Sequence, residues 1–257
     1  RPPPPLVALT PAGGRASIGP RGAGADTAGL LRVIERAADR LADLNARPCR
    51  EARHESWAYL DGSALSQQIA AGIGWRLSAP GGGAISDGIA AAHEALAPLK
   101  TAATVHGDVH LRNVLAPDEG GCHLIDYACA GPGHPAYDLV RLECALLFGR
   151  LRPVGDEEEF VALQRAMSIG LAEPGRLRAE FPAWWSSRVN AVLLDGAAAC
   201  RDRCLRVLGR YGAGPAEYRA AKFAVAAWST AVPDLQTGLV RATLRALAPE
   251  FARGSQP

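Results

Sequence analysis

The sequence predicts an α+β fold that is mostly helical, with one short hairpin near its middle. Three observations predict it. Apolar residues recur at helical spacing before residue 100 and again after residue 138. The clearest strand-like runs are Val114-Leu115-Ala116 and Cys122-His-Leu-Ile125, which flank the turn Pro117-Asp-Glu-Gly-Gly121. Polar residues gather around that hairpin: His106-Gly-Asp108-Val-His110-Leu-Arg112-Asn113 stands just before it, and Asp126 just after.

Taken in order, residues 1–26 read as a flexible or extended leader, with Pro2 to Pro5 followed by Gly13, Gly14, Gly19, Gly22 and Gly24. Gly13 to Gly19 does not read as a phosphate-cradling loop, because no Gly-Lys-Ser/Thr follows. Leu30, Ile34, Ala37, Leu41 and Leu44 predict a helix over 27–45, capped by Asp26 or Thr27. Residues 51–78 read as largely helical, interrupted near Asp61-Gly62-Ser63. After the turn Gly81-Gly-Gly83, Ser86 or Asp87 caps a short helix to Leu99. Thr101 to Val105 approaches the polar loop.

Asp138-Leu-Val-Arg-Leu-Glu-Cys-Ala-Leu-Leu-Phe148 is almost wholly apolar and predicts a buried helix, which Asp138 opens and is placed to cap. Asp156-Glu-Glu-Glu159 suits a first helical turn, where the macrodipole favours acids; as a functional feature it would attract a cationic acceptor. Trp184-Trp185 begins a helix through about Leu208, with Arg201, Arg203, Arg206 and Arg210 spread around it as a solvated face. Helices over 216–231 and 234–247 follow, the first with Tyr218, Ala221, Val225 and Trp228 on its core side. Residues 27–250 therefore read as one lobe, and 251–257 as a disordered tail.

Composition narrows the function. A net charge of +2 argues for neither a nucleic-acid nor a membrane partner. Of 28 basic residues only Lys100 and Lys222 are lysines, a bias in keeping with the Ala, Gly and Pro content. The six cysteines form no C-x-x-C pair, and small buried thiols in a reducing compartment is the expectation. No apolar run spans a bilayer, so the protein is expected in the cytoplasm.

Phosphoryl transfer to a hydroxyl needs a carboxylate beside the attacking oxygen and oxygen ligands for Mg²⁺ on the phosphates. Asp108 suits the first role, and Asn113 and Asp126 the second. Five positions separate Asp108 from Asn113, enough for one tight loop. Thirteen separate Asn113 from Asp126, enough for a hairpin that returns Asp126 beside Asn113.

His106-Gly-Asp108, Asn113 and Asp126 resemble the catalytic and metal-binding segments of the aminoglycoside phosphotransferase and choline kinase group, within the protein-kinase-like superfamily. The match covers residues 104–143 and includes Gly131-Pro-Gly-His-Pro-Ala-Tyr-Asp138-Leu-Val. Asp126-Tyr127-Ala128 stands where that superfamily carries Asp-Phe-Gly. The resemblance implies a kinase-like large lobe, ATP (or GTP) with Mg²⁺, and a hydroxyl acceptor. It implies a catalytic base at Asp108, metal ligands at Asn113 and Asp126, and supporting roles for His106 and Asp138. The Gly131–Glu143 continuation is also similar to ternary complex associated domains of bacterial conflict systems, which implies a protein partner.

An ordinary nucleotide lobe is not legible upstream. It would be a small antiparallel sheet with a strand lysine, and Lys100 lies six residues before His106. The readings left are a piece of a longer protein, an impaired kinase-like scaffold, and a kinase whose ATP site a partner or upstream segment completes. A rival from another class is a metal-dependent hydrolase, with His106, Asp108 and His110 alternating on one strand face.

Overall fold

The structure is a computed structural model that describes residues 7–8, 27–49, 82–116, 122–230, 232 and 235–252. The expected helical stretch 51–78, the turn 117–121, Asp26 and the last five residues lie outside these.

The frame is helical, as the apolar spacing requires. Helix α1 spans Thr27–Asn45, with Ile34, Ala37, Ala38 and Leu41 buried. Helix α2 spans Gly82–Leu96 and a 3-10 turn carries it to Leu99. It begins four residues ahead of the predicted cap at Ser86, so Gly82 and Gly83 are helical and not part of a turn.

Helix α3, Tyr137–Arg150, is the axis of the fold. Leu139, Val140, Leu142, Leu146, Leu147 and Phe148 are each at most 1% exposed, and they point in all directions around it. A helix that is apolar all round must be wrapped by others. The wrapping comes from α1, from α7 (Arg188–Arg210), from α8 (Pro215–Ser229) and from α9 (Thr237–Ala252). Between them lie α4 (Glu157–Ser168), α5 (Pro174–Glu180) and α6 (Pro182–Trp185). The long helix expected from Trp184 is thus two, separated at Ser186-Ser187.

Two contacts fix how the helices lie. A Cβ on Gly196 of α7 would come 2.8 Å from Ile34 Cγ2, so α1 and α7 approach as closely as a glycine allows. The acidic run does not face a ligand. Asp156 caps α4 through the Glu159 N–H at 2.8 Å, while Glu157 and Glu158 bond Arg241 and Arg245 of α9. Arg201 is also unlike the solvated residue expected: it is 1% exposed and donates to the carbonyls of Met167 and Ala172, both at 3.0 Å, satisfying backbone in the last turn of α4 and just beyond it.

The strands are short. β2 (Ala103–Val105) pairs antiparallel with β5 (Gly131–Gly133), with Ala103 opposite Gly133 and Val105 opposite Gly131. β3 (Val114–Ala116) pairs antiparallel with β4 (His123–Leu124), with Val114 opposite Leu124. This is the predicted hairpin. On its other edge β3 pairs with β1, Val7–Ala8, which comes from the stretch read as leader.

Four of the six cysteines are buried, Cys122, Cys144, Cys200 and Cys204, whereas Cys129 is exposed; all six are free thiols. No helix among the described residues is long and apolar enough to cross a membrane.

Candidate functional site

The polar loop runs from the end of β2 to the start of β3. Its backbone turns at Gly107, whose φ of 85° lies where glycine carries no Cβ penalty. Asp138, in the first turn of α3, holds the turn from below. One of its oxygens accepts from the His106 N–H at 2.7 Å and from Asn45 Nδ2 at 2.8 Å; the other accepts from the Gly107 N–H at 3.0 Å. Asp138 is fully buried and caps nothing, since the N-cap of α3 is Ala136. Burial pushes its carboxyl up from the usual carboxylate range, against these three donors, which favour the ionised form.

His106 is also fully buried and joins the two sides of the site. Its Nδ1 accepts from the Asp108 N–H at 3.4 Å, and its Nε2 donates to the Ile125 carbonyl at 2.9 Å. Those two bonds assign the ring hydrogen to Nε2. The ring packs against Tyr127, centroid to centroid 4.5 Å. Asn113 spends its amide nitrogen on the Asp108 carbonyl at 2.9 Å, and its own carbonyl accepts from the Ile125 N–H at 3.0 Å. The hairpin therefore returns the chain beside Asn113 one residue before Asp126, as the thirteen-residue spacing predicts.

Asp126 has φ 63° and ψ 66°, left-handed backbone that a residue with a Cβ seldom adopts. It precedes a 3-10 turn, Tyr127–Cys129, without capping it, and is exposed. Its oxygens and the amide oxygen of Asn113 are the hard ligands that suit Mg²⁺, which takes one or two protein oxygens alongside phosphate oxygens.

Asp108 is half-exposed, and both its oxygens face a nitrogen. Arg141 of α3 reaches Oδ1 at 3.4 Å and His110 Nε2 stands 3.6 Å from Oδ2. His110 is fixed by its other nitrogen, which accepts from the Arg112 N–H at 3.2 Å and caps the 3-10 turn Leu111–Asn113. Its pKa is lowered, first by burial and then by Arg141 and Arg112, with Asp108 and Asp126 opposing.

The premise of the hydrolase reading fails locally: residues 106–110 form a loop and not a strand, so His106, Asp108 and His110 do not share a strand face. His106 and His110 spend their ring nitrogens on the backbone and on Asp108. Among the described residues no three of the His, Cys, Asp and Glu side chains converge as a metal site.

Beside Asp108 opens a cavity of about 280 Å³ between the loop, α3 and α8. Arg141 and Trp228 line it, with the guanidinium carbon 4.1 Å from the centre of the Trp228 ring. Sequence reasoning missed both. It assigned Trp228 to the core and gave Arg141 no task, although a lone arginine in an apolar helix was the available signal. It also missed Asn45, which nothing in α1 distinguishes from a helix-end residue. The two lysines are not in the site: Lys100 is exposed after the 3-10 turn, and Lys222 is buried against Glu143 at 2.6 Å.

A family model described as ternary complex associated domain 9 matches residues 49–209, more than half of the chain. That span includes the polar loop, the hairpin, α3 and most of α7. No curated protein matches.

Proposed function

The chain belongs to the ternary complex associated domain 9 family, and we propose that it is a kinase-like phosphotransferase that moves the γ-phosphoryl group of ATP (or GTP) to a hydroxyl. One observation carries the reading. A single bonded frame (Asp138 to His106, His106 to Asp108 and Ile125, Ile125 to Asn113) gathers Asp108, Asn113 and Asp126 at one site. These are the three groups that the resemblance of the loop assigns to base and metal ligands.

In the proposed reaction Asp108 orients the acceptor hydroxyl. The acceptor oxygen bonds to the γ-phosphorus, the bond from that phosphorus to the bridging oxygen breaks, and the nucleoside diphosphate leaves. The hydroxyl proton passes to the Asp108 carboxylate late in a loose transition state. Asn113 and Asp126 would hold Mg²⁺, which supplies charge neutralisation on the phosphates. His106 and Asp138 hold the loop. A partner or a further segment would complete the nucleotide site, in keeping with the family's name, which points to an assembly and identifies no partner.

A second reading, an impaired kinase-like scaffold, is favoured by Arg141. Its guanidinium lies 3.4 Å from Asp108 Oδ1 and so occupies one of the two oxygens that an acceptor hydroxyl would need. Titration of Mg·ATP separates the two. Binding that Asp126→Ala removes, with transfer that Asp108→Asn lowers at least ~100-fold, is the expected result. A folded chain that binds no Mg·ATP, alone or with its partner, would leave the scaffold.

A further inference from the structure

Arg141 stands on α3, the helix at the centre of the fold, and is 8% exposed, yet it lines the cavity beside Asp108. Its plane is pinned. The guanidinium carbon lies 4.1 Å from the centre of the Trp228 ring and 5.9 Å from that of Tyr137. Of its five N–H donors one is spent, and spent loosely, on Asp108 Oδ1 at 3.4 Å. A charge-assisted bond is ordinarily ~2.7–2.9 Å. Among the described residues no other group accepts from Arg141. A buried guanidinium is costly unless its donors are matched, so spare donors on a cavity wall mark a binding group.

We propose that Arg141 and Asp108 together bind the hydroxyl of a small alcohol in this cavity, Arg141 as donor and Asp108 as acceptor. A hydroxyl both accepts and donates. Its oxygen takes an N–H of Arg141 while its hydrogen goes to Asp108. The existing contact stays in place, because a carboxylate offers about four lone-pair sites and the guanidinium keeps its other N–H groups. A charged group fails at one of the two. An ammonium has no lone pair for Arg141, and a carboxylate has no hydrogen for Asp108. Val109, Leu111 and Val225 give the carbon body of the alcohol apolar contact. Arg141 thus decides which functional group is taken, and Trp228 acts through it by fixing the guanidinium. That the hydroxyl is then phosphorylated rests on the phosphotransferase reading; that it binds here does not.

The test uses benzyl alcohol, benzylamine and benzoate, titrated by NMR into the whole chain without nucleotide. The pH is held near ~8, where the neighbouring His110, its pKa lowered by burial, is neutral. Each probe is compared between the native chain and a variant, so the other groups of the wall cancel. Arg141→Met leaves Asp108 without its cation, and benzylamine should bind at least ~3-fold more tightly to it. Asp108→Asn leaves Arg141 without its anion, and benzoate should gain by a similar factor. Benzyl alcohol, which uses both groups, should weaken in both variants. A purely structural role for the pair would weaken every probe and tighten none. If Arg141→Met does not fold, the Asp108→Asn arm and the Arg141 guanidinium signals of the native chain decide; those signals should shift as benzyl alcohol binds. Alcohol binding absent at tens of millimolar, guanidinium signals unmoved by it, or a charged probe that fails to tighten in its variant would each overturn the proposal. So would displacement of the alcohol by Mg·ADP, which would assign Arg141 to nucleotide phosphate. Adding Mg·ATP and assaying for benzyl phosphate tests the other reading separately: the expected binding pattern without transfer keeps the hydroxyl site and tells against the phosphotransferase.

Discussion

The Nε2 of His106 donates to the carbonyl of Ile125 at 2.9 Å, so a fully buried imidazole ties the Asp108 loop to the strand that delivers Asp126. The bond couples two segments 19 residues apart. His106→Phe would keep a ring on Tyr127 while leaving the Ile125 carbonyl and the Asp108 N–H without their partner. A buried polar group left unpaired costs ~1–3 kcal/mol, which urea denaturation would register. If the phosphotransferase reading holds, Mg·ATP affinity should fall as well, because Asp126 loses its anchor.

Asp138 bears more of the frame than His106. Asp138→Ala strips the acceptor from two backbone donors and from Asn45. We expect a loss of ~3–5 kcal/mol, the range for breaking a buried charged network, and measure it by chemical denaturation. Asn45→Ala, which removes one donor of three, should cost about a third as much.

The buried pair Lys222–Glu143 behaves as a unit. Glu143 also accepts from Tyr218 Oη at 2.9 Å, and Lys222 also donates to Ser168 Oγ at 2.7 Å. Lys222→Met alone leaves an uncompensated carboxylate in the core and should cost ~3–5 kcal/mol. Adding Glu143→Gln keeps an acceptor for Tyr218 without the charge, so the double variant should be more stable than the single one. A double variant no more stable than the single would mean that the lysine contributes packing and not charge.

Burial pulls the His134 pKa down to about 4, against Glu217. Its ordinary value is ~6.5, so between those values the unfolded chain binds a proton there that the folded chain refuses. Stability should therefore fall as pH drops from 6.5 towards 4, by up to ~1.4 kcal/mol per pH unit from this group. His134→Asn retains an acceptor for the Ala136 N–H, bonded at 3.2 Å, and removes the proton. Its stability should be flatter across that window in parallel denaturation series.

Gly196→Ala sets two effects of opposite sign against each other. Alanine is the better helix former by ~1 kcal/mol. Its Cβ would meet Ile34 Cγ2 at 2.8 Å, and overpacking costs ~1–3 kcal/mol. We expect net destabilisation in thermal melts, and partial relief of it when Ile34→Leu removes the β-branch methyl Cγ2.

The helices and the hairpin were legible because local patterns dictate them. Leu30 to Leu44 repeat at the helical period, and the run from Asp138 to Phe148 is too apolar to be anywhere but inside. The gathering of Asp108, Asn113 and Asp126 was legible from spacing, since a short hairpin has little freedom in where its ends meet. What escaped was long-range pairing. Arg201 looks like any helix-surface arginine until the carbonyls of Met167 and Ala172, 34 and 29 residues away, present themselves. Arg141 and Trp228 meet from helices 87 positions apart, and Asn45 meets Asp138 across 93. No periodicity encodes such meetings; they follow from how α1, α7 and α8 close around α3.

The backbone at Asp126 separates two kinds of fitness. Its left-handed φ of 63° suits glycine, and its carboxylate caps nothing and bonds nothing among the described residues. Asp126→Gly would relieve ~1 kcal/mol of conformational strain and lose about as much to the freer unfolded chain, so the fold should scarcely notice. A mutational scan scored on protein abundance would pass glycine at 126, whereas, on the proposed phosphotransferase reading, one scored on nucleotide binding would reject it. The gap between those two scores is a direct readout of what the aspartate is kept for.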